Sequence, residues 1–426
     1  VHSRARFAKL NRRARRVAEE NELTEWMEQV TGPDWLWYVK YLSANDTYAK
    51  SNVHQGGPYV AKEVLRVVFP RLSERADRDE NPDLFVDTIV DSHEGYQTTL
   101  RLIWYNSKRL GQRNGRDEAR QTRWGAIDAP VVSAEFTGAL VIFAYHRIGT
   151  GDADGLRVWI ARSLEEHERI LDRVGPVEPG VGLVLTSSGV VLSGTLSVVD
   201  RPCMLSAESL PEEWRTSYPS GESIIAKVIE SLPSARSLAV DARLMKRRTC
   251  EYEMFLSVEQ YHVLPRLRSP FESVEAFLEF AHTVTNRRKS RSGRSLELQL
   301  AGIFREENLS HSHGAHTEGR RKPDFIFPSI ESYWDGARRD DQLRMLAAKT
   351  TVKDRWRQIL NEARRVETKH LLTLQEGVSE EQFAKMREEG VVLVVPTALH
   401  ASYPRGVRGE LVSLEGFIGE TKKLCA

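Results

Sequence analysis

Residues 346–363, LAAKTTVKDRWRQILNEA, hold a small apolar run that stops at Lys349, crosses two threonines and then mixes charge with bulk. With the preceding LRM, residues 343–349 read as a buried strand ending on a lysine. Beyond it, Trp356, Ile359, Leu360 and Ala363 recur at i, i+3, i+4 and i+7, a spacing that predicts an amphipathic helix over 354–366. Arg355, Gln358 and Glu362 then share a second stripe, because positions seven apart on a helix nearly eclipse. Further strands are expected at 370–374 (HLLTL) and 391–395 (VVLVV), with a helix over 380–388 between them. Strands alternating with helices predict a parallel segment with right-handed crossovers, so this end of the chain reads as α/β.

Working outward, the 426 residues are too many for one ordinary domain, and 40% apolar content can build two or three cores. Up to about residue 195 the chain reads as short strands (WLWYVKYL, AEFTGALVIFAYHR, LRVWIAR, GVGLVLTSSGVVLSG) broken by turn residues, with a helix over 160–173. That texture suggests a barrel or sandwich. From about 210 helical periodicity takes over, as in SGESIIAKVIESL, and the aperiodic stretch at 197–209 reads as a linker. The expected division is therefore 1–196, a linker at 197–209, and 210–426.

Lys+Arg 61 against Asp+Glu 60 leave almost no net charge, so a polyanion partner must be met by local clustering. Cys203, Cys250 and Cys425 are odd in number, widely spaced and without a CxxC pair, which argues against a disulfide framework or zinc ribbon and favours a reducing cytoplasm. No apolar run is long enough to span a bilayer. The N-terminal RFAKLNRRARRVAEENEL reads as a helix or arm with a solvated basic face, because Glu19 and Glu20 spoil a transit peptide.

Lys349 alone would be an ordinary surface lysine. Its interest comes from Asp324, 25 residues upstream at the start of the strand DFIFP (324–328). Adjacent strands can bring that carboxylate and that ammonium to one sheet edge. A metal-dependent phosphodiesterase needs oxygen ligands for a hard cation, and a positive group to orient water and offset charge at phosphorus. The second acid of such sites commonly stands two residues before the lysine, where this chain has Ala347; Glu362 on the expected helix offers a substitute.

These residues resemble a migrated-acid form of the PD-(D/E)xK nuclease site, and more narrowly the EcoRII type of restriction endonuclease. The likeness is carried by KPDFIFPS (322–329), by MLAAKTTVKDRWRQILNEA (345–363), by HLLTLQEGVS (370–379) and by VVLVVP followed by LHASYP. It continues through NRRKSRSGRSLELQL (286–300), EYEMFLSVEQYHVL (251–264), LSANDT (42–47) and TRWG (122–125), and so covers nearly the whole chain. The resemblance implies an N-terminal B3-like β pseudobarrel that binds a second copy of the target as effector, and a C-terminal α/β restriction-endonuclease-like domain. It also implies a type IIE enzyme: a homodimer cutting double-stranded CCWGG before the first C, with the central pair extruded from the stack. Autoinhibition by the N-terminal domain is implied too, as are Mg²⁺ and the absence of any nucleotide cofactor or membrane partner.

By the same resemblance Asp324 and Glu362 hold Mg²⁺, Lys349 stands at the attacked phosphate, and Glu297 is an acid near the site; as bare sequence Glu297 is equally a helix-flank carboxylate. Lys353, Asp354 and Arg355 match the base-reading segment, which suits an arginine for guanine and a carboxylate for cytosine N4. Asp354 would also serve as a helix N-cap. The run RRKSRSGRS, with Arg287, Arg288, Lys289, Arg291 and Arg294, suits phosphate and flanking-base contacts at a helix N-terminus. HSHGAH (His311, His313, His316) lacks the partners of a zinc site and reads as a mobile loop.

In the N-terminal half, the polar loops 43–59 and 106–125 read as paired arms, or on the bland reading as two exposed hairpins. The resemblance assigns effector-binding roles to His54 and Tyr59 in the first, and to Arg116, Glu118 and Arg120 in the second. Ala119 stands where the family pattern has a basic residue, and the second arm is a few residues longer. Two competing functions share these features: a DNA-binding regulator without cleavage, and a structure-specific repair nuclease.

Overall fold

In the computed structural model the described residues are 22–48, 57–125, 129–175, 177, 179–180, 182–186, 202–353 and 355–425. His54, Asp354, most of the basic N-terminal arm and the first residues of the expected linker lie outside them. The chain divides into two compact units, residues 1–198 with 376–379 and residues 199–375 with 380–426. No helix among the described residues is long and apolar enough to cross a membrane.

The first unit is built on strands β1 (Trp35–Tyr41), β2 (Tyr59–Val60), β3 (Asp83–Val90), β4 (Tyr96–Tyr105), β5 (Glu118–Thr122), β6 (Leu140–His146), β7 (Gly155–Ile160) and β8 (Leu183–Thr186). They form one mixed sheet in the order β2-β5-β4-β3-β7-β6-β1-β8, with β3 and β7 parallel. The uninterrupted apolar run of β6 follows from its central place. Val141, Phe143 and Tyr145 enter one core with Leu36 and Tyr38, whereas Leu140, Ile142 and Ala144 enter a second core with Trp37 and Val39. Both faces of these central strands are buried, so the usual polar alternation is absent. The expected helix at 160–173 is observed at Leu164–Val174, capped by the Ser163 side chain, which accepts from the Glu166 amide.

The second unit holds a five-stranded sheet in the order β13-β12-β11-β10-β9, from β9 (Ser312–His313), β10 (Phe325–Phe327), β11 (Arg344–Lys349), β12 (Lys369–Thr373) and β13 (Val391–Val394). β11, β12 and β13 are parallel, as expected, while β9 and β10 run antiparallel to their neighbours. Phe325, Phe327, Leu346 and Ala348 share one core with Val240, Leu244, Leu296, Leu300 and Phe304 from the long helices Val240–Leu267 and Val274–Glu306. The alternate residues of β10 and β11, among them Ile326, Met345 and Ala347, are buried on the opposite face.

Three expectations change here. The helix over 354–366 does not form: the chain makes a short 3₁₀ turn at Trp356–Ile359 and then further turns, with Ala363 at φ +46°. Trp356, Ile359 and Ala363 are buried all the same, so the apolar spacing marks burial and not helix. The RRKSRSGRS run lies well inside the Val274–Glu306 helix, not at an N-terminus, because the helix begins at a Ser273 cap that accepts from the Ala276 amide. Cys203 and Cys250 form a disulfide although their spacing gave no hint of one. Packing decides that pairing: the Cys203 amide donates to Glu253 Oε2 (2.9 Å) and the Leu205 amide to Ser257 Oγ (2.9 Å), laying the segment along the Val240–Leu267 helix.

β12 also carries a buried histidine. Burial, and then the nearby Arg344 charge, push His370 down to about 4. The unfolded ring titrates near 6.5, so between about pH 6.5 and 4 the unfolded chain binds one more proton than the folded one. The resulting stability is whole above pH 6.5 and is lost as pH falls towards 4, up to about 3 kcal/mol for this group alone. Urea unfolding at pH 7.5 and pH 5 should show that loss, and His370→Phe should flatten it; equal slopes for the two proteins would assign the acid sensitivity elsewhere.

Candidate active site

The parallel strands β11 and β12 end together, and β10 starts beside the end of β11. Phe325 pairs with Leu346, so one further step of the antiparallel ladder sets Asp324 opposite Ala347. Asp324 Oδ2 accepts from the Ala348 amide at 2.7 Å and from Lys349 Nζ at 3.0 Å. The carboxylate and the ammonium are partly screened from solvent, with side-chain exposures of 12% and 25%. By parity both belong to the Ile326–Ala347 face of the sheet, the face turned away from the long helices.

Glu362 reaches the same place from the turns that replace the expected helix. Its carboxyl is raised to about 7, first by burial and then by the negative charge of Asp324, with Lys349, Lys369 and Arg321 opposing. Glu362 is therefore within electrostatic reach of Asp324, Lys349, Lys369 and Arg321, while the direct contact in the sequence-expected trio is that of Lys349 with Asp324. The raised value is informative: two carboxylates share a low-dielectric pocket that their cationic neighbours do not fully compensate. Hard oxygen donors in that state suit a divalent cation such as Mg²⁺, which binds through one or two carboxylates and completes its shell with water and phosphate. For that ion a cluster of three protein ligands is not required, and none is found among the described residues.

Glu297 comes from the helical layer, where its carboxylate pairs with His313 Nε2 at 3.0 Å. His313 lies in β9 and stacks on Phe325 at 4.9 Å, so Glu297 stands one strand away from Asp324, outside the trio. His311 packs edge-on against Phe304 and bonds the Leu309 carbonyl at 2.9 Å. Ser312 and His313 thus form a short strand edge, while His311 and His316 lie outside any helix or strand, as expected of a loop. The basic run is likewise partly committed. Arg291 pairs with Glu251 at 2.8 Å, both nearly buried, and Arg288 Nε donates to Glu259 at 2.7 Å. Arg294 remains 67% exposed, and the Arg287 guanidinium lies over the Tyr218 ring at 4.4 Å.

The two compact units match two family models in tandem: "Restriction endonuclease EcoRII, N-terminal" over residues 31–189 and "EcoRII C terminal" over residues 255–418. A curated relative, the type II restriction enzyme EcoRII of Escherichia coli, is 42% identical over 408 residues, covering 94% of this chain and 97% of its own. The chain belongs to the EcoRII family of type II restriction enzymes. It is a type II restriction endonuclease, and its substrate is double-stranded DNA. Among solved structures, the complex of restriction endonuclease PspGI with substrate DNA aligns at TM-score 0.42 and 13% identity, over 50% of this chain and 95% of its own. Metal-depleted Ecl18kI with uncleaved DNA aligns at 0.37 and 19%, over 51% and 85%. Both likenesses are remote, and membership rests on the sequence matches.

Within this EcoRII-family enzyme, the residues expected to read bases begin four positions after Lys349. Lys353 and Arg355 are half-buried on the turn that opens at Val352, whose carbonyl accepts from the Arg355 (3.0 Å) and Trp356 (3.2 Å) amides. Gln375 Oε1 fixes the start of that turn by accepting from the Val352 amide at 2.9 Å. In the first unit, β2 pairs with β5 so that Tyr59 lies opposite Arg120, which joins the two expected arms at their bases. Glu118 and Arg120 share the outer face of β5 and pair at 3.2 Å, while Ala119 is buried. Arg120 also donates to the Asn45 carbonyl at 3.3 Å, and the Arg116 guanidinium lies over Tyr105 at 5.5 Å.

The sequence reading missed Lys369, whose ammonium is buried beneath the Glu362 turn, and the pair Glu318 and Tyr333 that braces it. One signal was available for the first. A lysine directly before the apolar HLLTL occupies a position that a buried strand rarely gives to a charge.

Proposed function

We propose that this enzyme makes Mg²⁺-dependent double-strand cuts at CCWGG, before the first C, as a type IIE homodimer. Asp324 and Glu362 would hold the ion, which when bound supplies Lewis-acid polarisation of the scissile phosphate. The observation that carries this reading is the Asp324–Lys349 contact at a strand end, with Glu362 raised to about 7 by burial and by Asp324. Lys349 would offset charge on the attacked phosphate and orient the water that displaces the 3′ oxygen. Lys353, Asp354 and Arg355 would read base edges, with Arg291 and Arg294 contributing DNA contacts on leaving their carboxylate partners; for Arg294 that partner is Glu222 at 3.3 Å in an exposed pair, for Arg291 the nearly buried Glu251. Glu297 would act from the long helix Val274–Glu306, where it pairs with His313 of β9.

Cutting both strands of a symmetric site calls for two such centres about a two-fold axis. In support of a dimer, the tip joining the two long helices leaves Leu264, Leu267, Val274, Phe277 and Leu278 between 41% and 68% exposed. Arg266 and Arg268 stand at the end of the first helix and Glu272, Glu275 and Glu279 around the start of the second, charges of opposite sign that two copies in opposite orientation can pair.

In the proposed architecture, residues 1–196 are a B3-like pseudobarrel that binds a second target copy through His54, Tyr59, Arg116, Glu118 and Arg120 and relieves inhibition of the catalytic domain. Residues 197–209 link it to the catalytic domain, 210–426. Support comes from the β2–β5 pairing that sets Tyr59 against Arg120 on the sheet.

The test is digestion of plasmids bearing one or several CCWGG sites, unmethylated or cytosine-methylated, with Mg²⁺ or EDTA, followed by end-sequencing. Expected are discrete Mg²⁺-dependent ends at unmethylated CCWGG, with faster cutting of multi-site plasmid. Discrete ends elsewhere would discard the proposed target. Equal rates on one and several sites would discard the effector role of the first unit.

A further inference from the structure

Glu362 stands on a stretch that forms no helix, so something other than helical bonding must fix it. The residues from Glu362 to Val366 make few main-chain bonds of their own: the Glu362 amide donates to Ile359 O and the Val366 amide to Ala363 O, both at 2.9 Å. Three carbonyls of this stretch, Ala363 O among them, converge on one side chain. Lys369, at the start of β12 and 5% exposed, donates from Nζ to Glu362 O at 2.8 Å, to Ala363 O at 2.9 Å and to Val366 O. An ammonium has three donors, and all three are spent on this turn. They also account for the left-handed backbone of Ala363, since a helix would need the Glu362 carbonyl for the Val366 amide.

The outer side of the turn is held by amides. The Arg364 amide donates to Glu318 Oε2 at 3.4 Å and the Arg365 amide to Tyr333 Oη at 3.2 Å, while Tyr333 Oη donates to Glu318 at 2.6 Å. The Arg365 guanidinium is bonded to the Asp335 and Arg338 carbonyls. Only the inner side, directly under Glu362, depends on a single group.

We propose that Lys369 is the positioning residue for Glu362: its buried ammonium holds the main chain of residues 362–366 so that the Glu362 carboxylate faces Asp324. This rests on the reading of Glu362 as a metal-binding carboxylate. Lys369 needs no contact with DNA or metal to act: without it the Glu362 and Val366 carbonyls lose their donor, Ala363 O keeps the Val366 amide alone, and buried carbonyls in that state would pull the turn towards water. Outer partners of this kind typically change metal affinity by roughly 10–100-fold when removed.

The experiment is a titration of the full-length protein with Mn²⁺, the free ion being followed by its paramagnetic resonance signal, with thermal unfolding in parallel. Lys369→Met keeps the aliphatic stem and removes the donors; Lys369→Arg keeps the charge with a planar head that cannot aim three donors at these carbonyls. Expected is about a tenfold loss of Mn²⁺ affinity in Lys369→Met, a smaller loss in Lys369→Arg, and unchanged affinity for target DNA without divalent ions. In the Glu362→Gln background, Lys369→Met should cause no further loss of Mn²⁺ affinity. If Glu362→Gln weakens Mn²⁺ binding but both Lys369 variants bind it as wild type does, the positioning role is overturned and the ligand role of Glu362 stands. If Glu362→Gln leaves Mn²⁺ binding unchanged, the ligand role falls and the positioning role with it. Should Lys369→Met fail to fold, the Lys369→Arg comparison decides between the same outcomes.

Discussion

Replacing Asp324 by asparagine is expected to lower DNA cleavage by roughly 10³-fold or more while leaving DNA affinity intact. The substitution keeps the side chain's shape and an acceptor for the Ala348 amide, which donates to it at 2.7 Å, so β10 and β11 have no reason to separate. What disappears is the negative charge that anchors Lys349 at 3.0 Å and that, on the proposed reading, would hold a cation together with Glu362. A carboxylate facing a phosphate repels it, so in EDTA the variant should bind target DNA as tightly as wild type or more tightly. Gel-shift affinity in EDTA and single-turnover cleavage with Mg²⁺ separate the two effects. A variant that still cuts within tenfold of wild type would remove Asp324 from the reacting centre, and one that loses binding and cutting together would make it a structural residue.

Glu306→Ala is expected to have the largest effect on stability, about 3–5 kcal/mol. Glu306 closes the Val274–Glu306 helix and receives Arg247 bidentately, Nη1 to Oε2 at 3.0 Å and Nη2 to Oε1 at 2.9 Å, with Arg243 Nη1 at 3.2 Å. Arg247 is 1% exposed and Arg243 is 4% exposed. Truncating their shared carboxylate strands Arg247 in a low-dielectric interior and leaves Arg243 with Glu307. The same packing carries Leu300 and Phe304, which support the strands that bear Asp324 and Lys349. Urea unfolding monitored by tryptophan fluorescence measures the cost. A loss below about 1 kcal/mol would mean that water already reaches the guanidinium groups and that the pair adds little to the packing.

Much of the second unit was legible because its signals are local. Lys349 ends β11 and Asp324 stands immediately before β10, where the apolar runs placed them, and Ser220 caps the helix that SGESIIAKVIESL announced. The helix expected over 354–366 fails for a reason that no local pattern contains. Its apolar stripe is real, since Trp356, Ile359 and Ala363 are buried, but a stripe fixes which residues face inward and leaves the backbone between them free. Lys369, from outside the window, takes the Glu362 carbonyl, and Arg365 reaches out of it to the Arg338 carbonyl. The basic run at 287–294 was misplaced for a related reason: helix ends are set by a cap, and Ser273 lies well upstream of it.

The amino-acid sequence by itself determined the division of texture between strands and helices, the strand-end Asp324 and Lys349, and the long family likeness from 42 to 404. These depend on periodicity and residue identity, which neighbours along the chain carry. The tertiary structure alone decided the antiparallel placement of β10 against β11, the disulfide between Cys203 and Cys250, the commitment of Arg291 to Glu251, and the turn on which Glu362 stands. Each of these joins groups distant in sequence, and their energies exist only once burial has removed the water that would otherwise satisfy every carbonyl and charge separately.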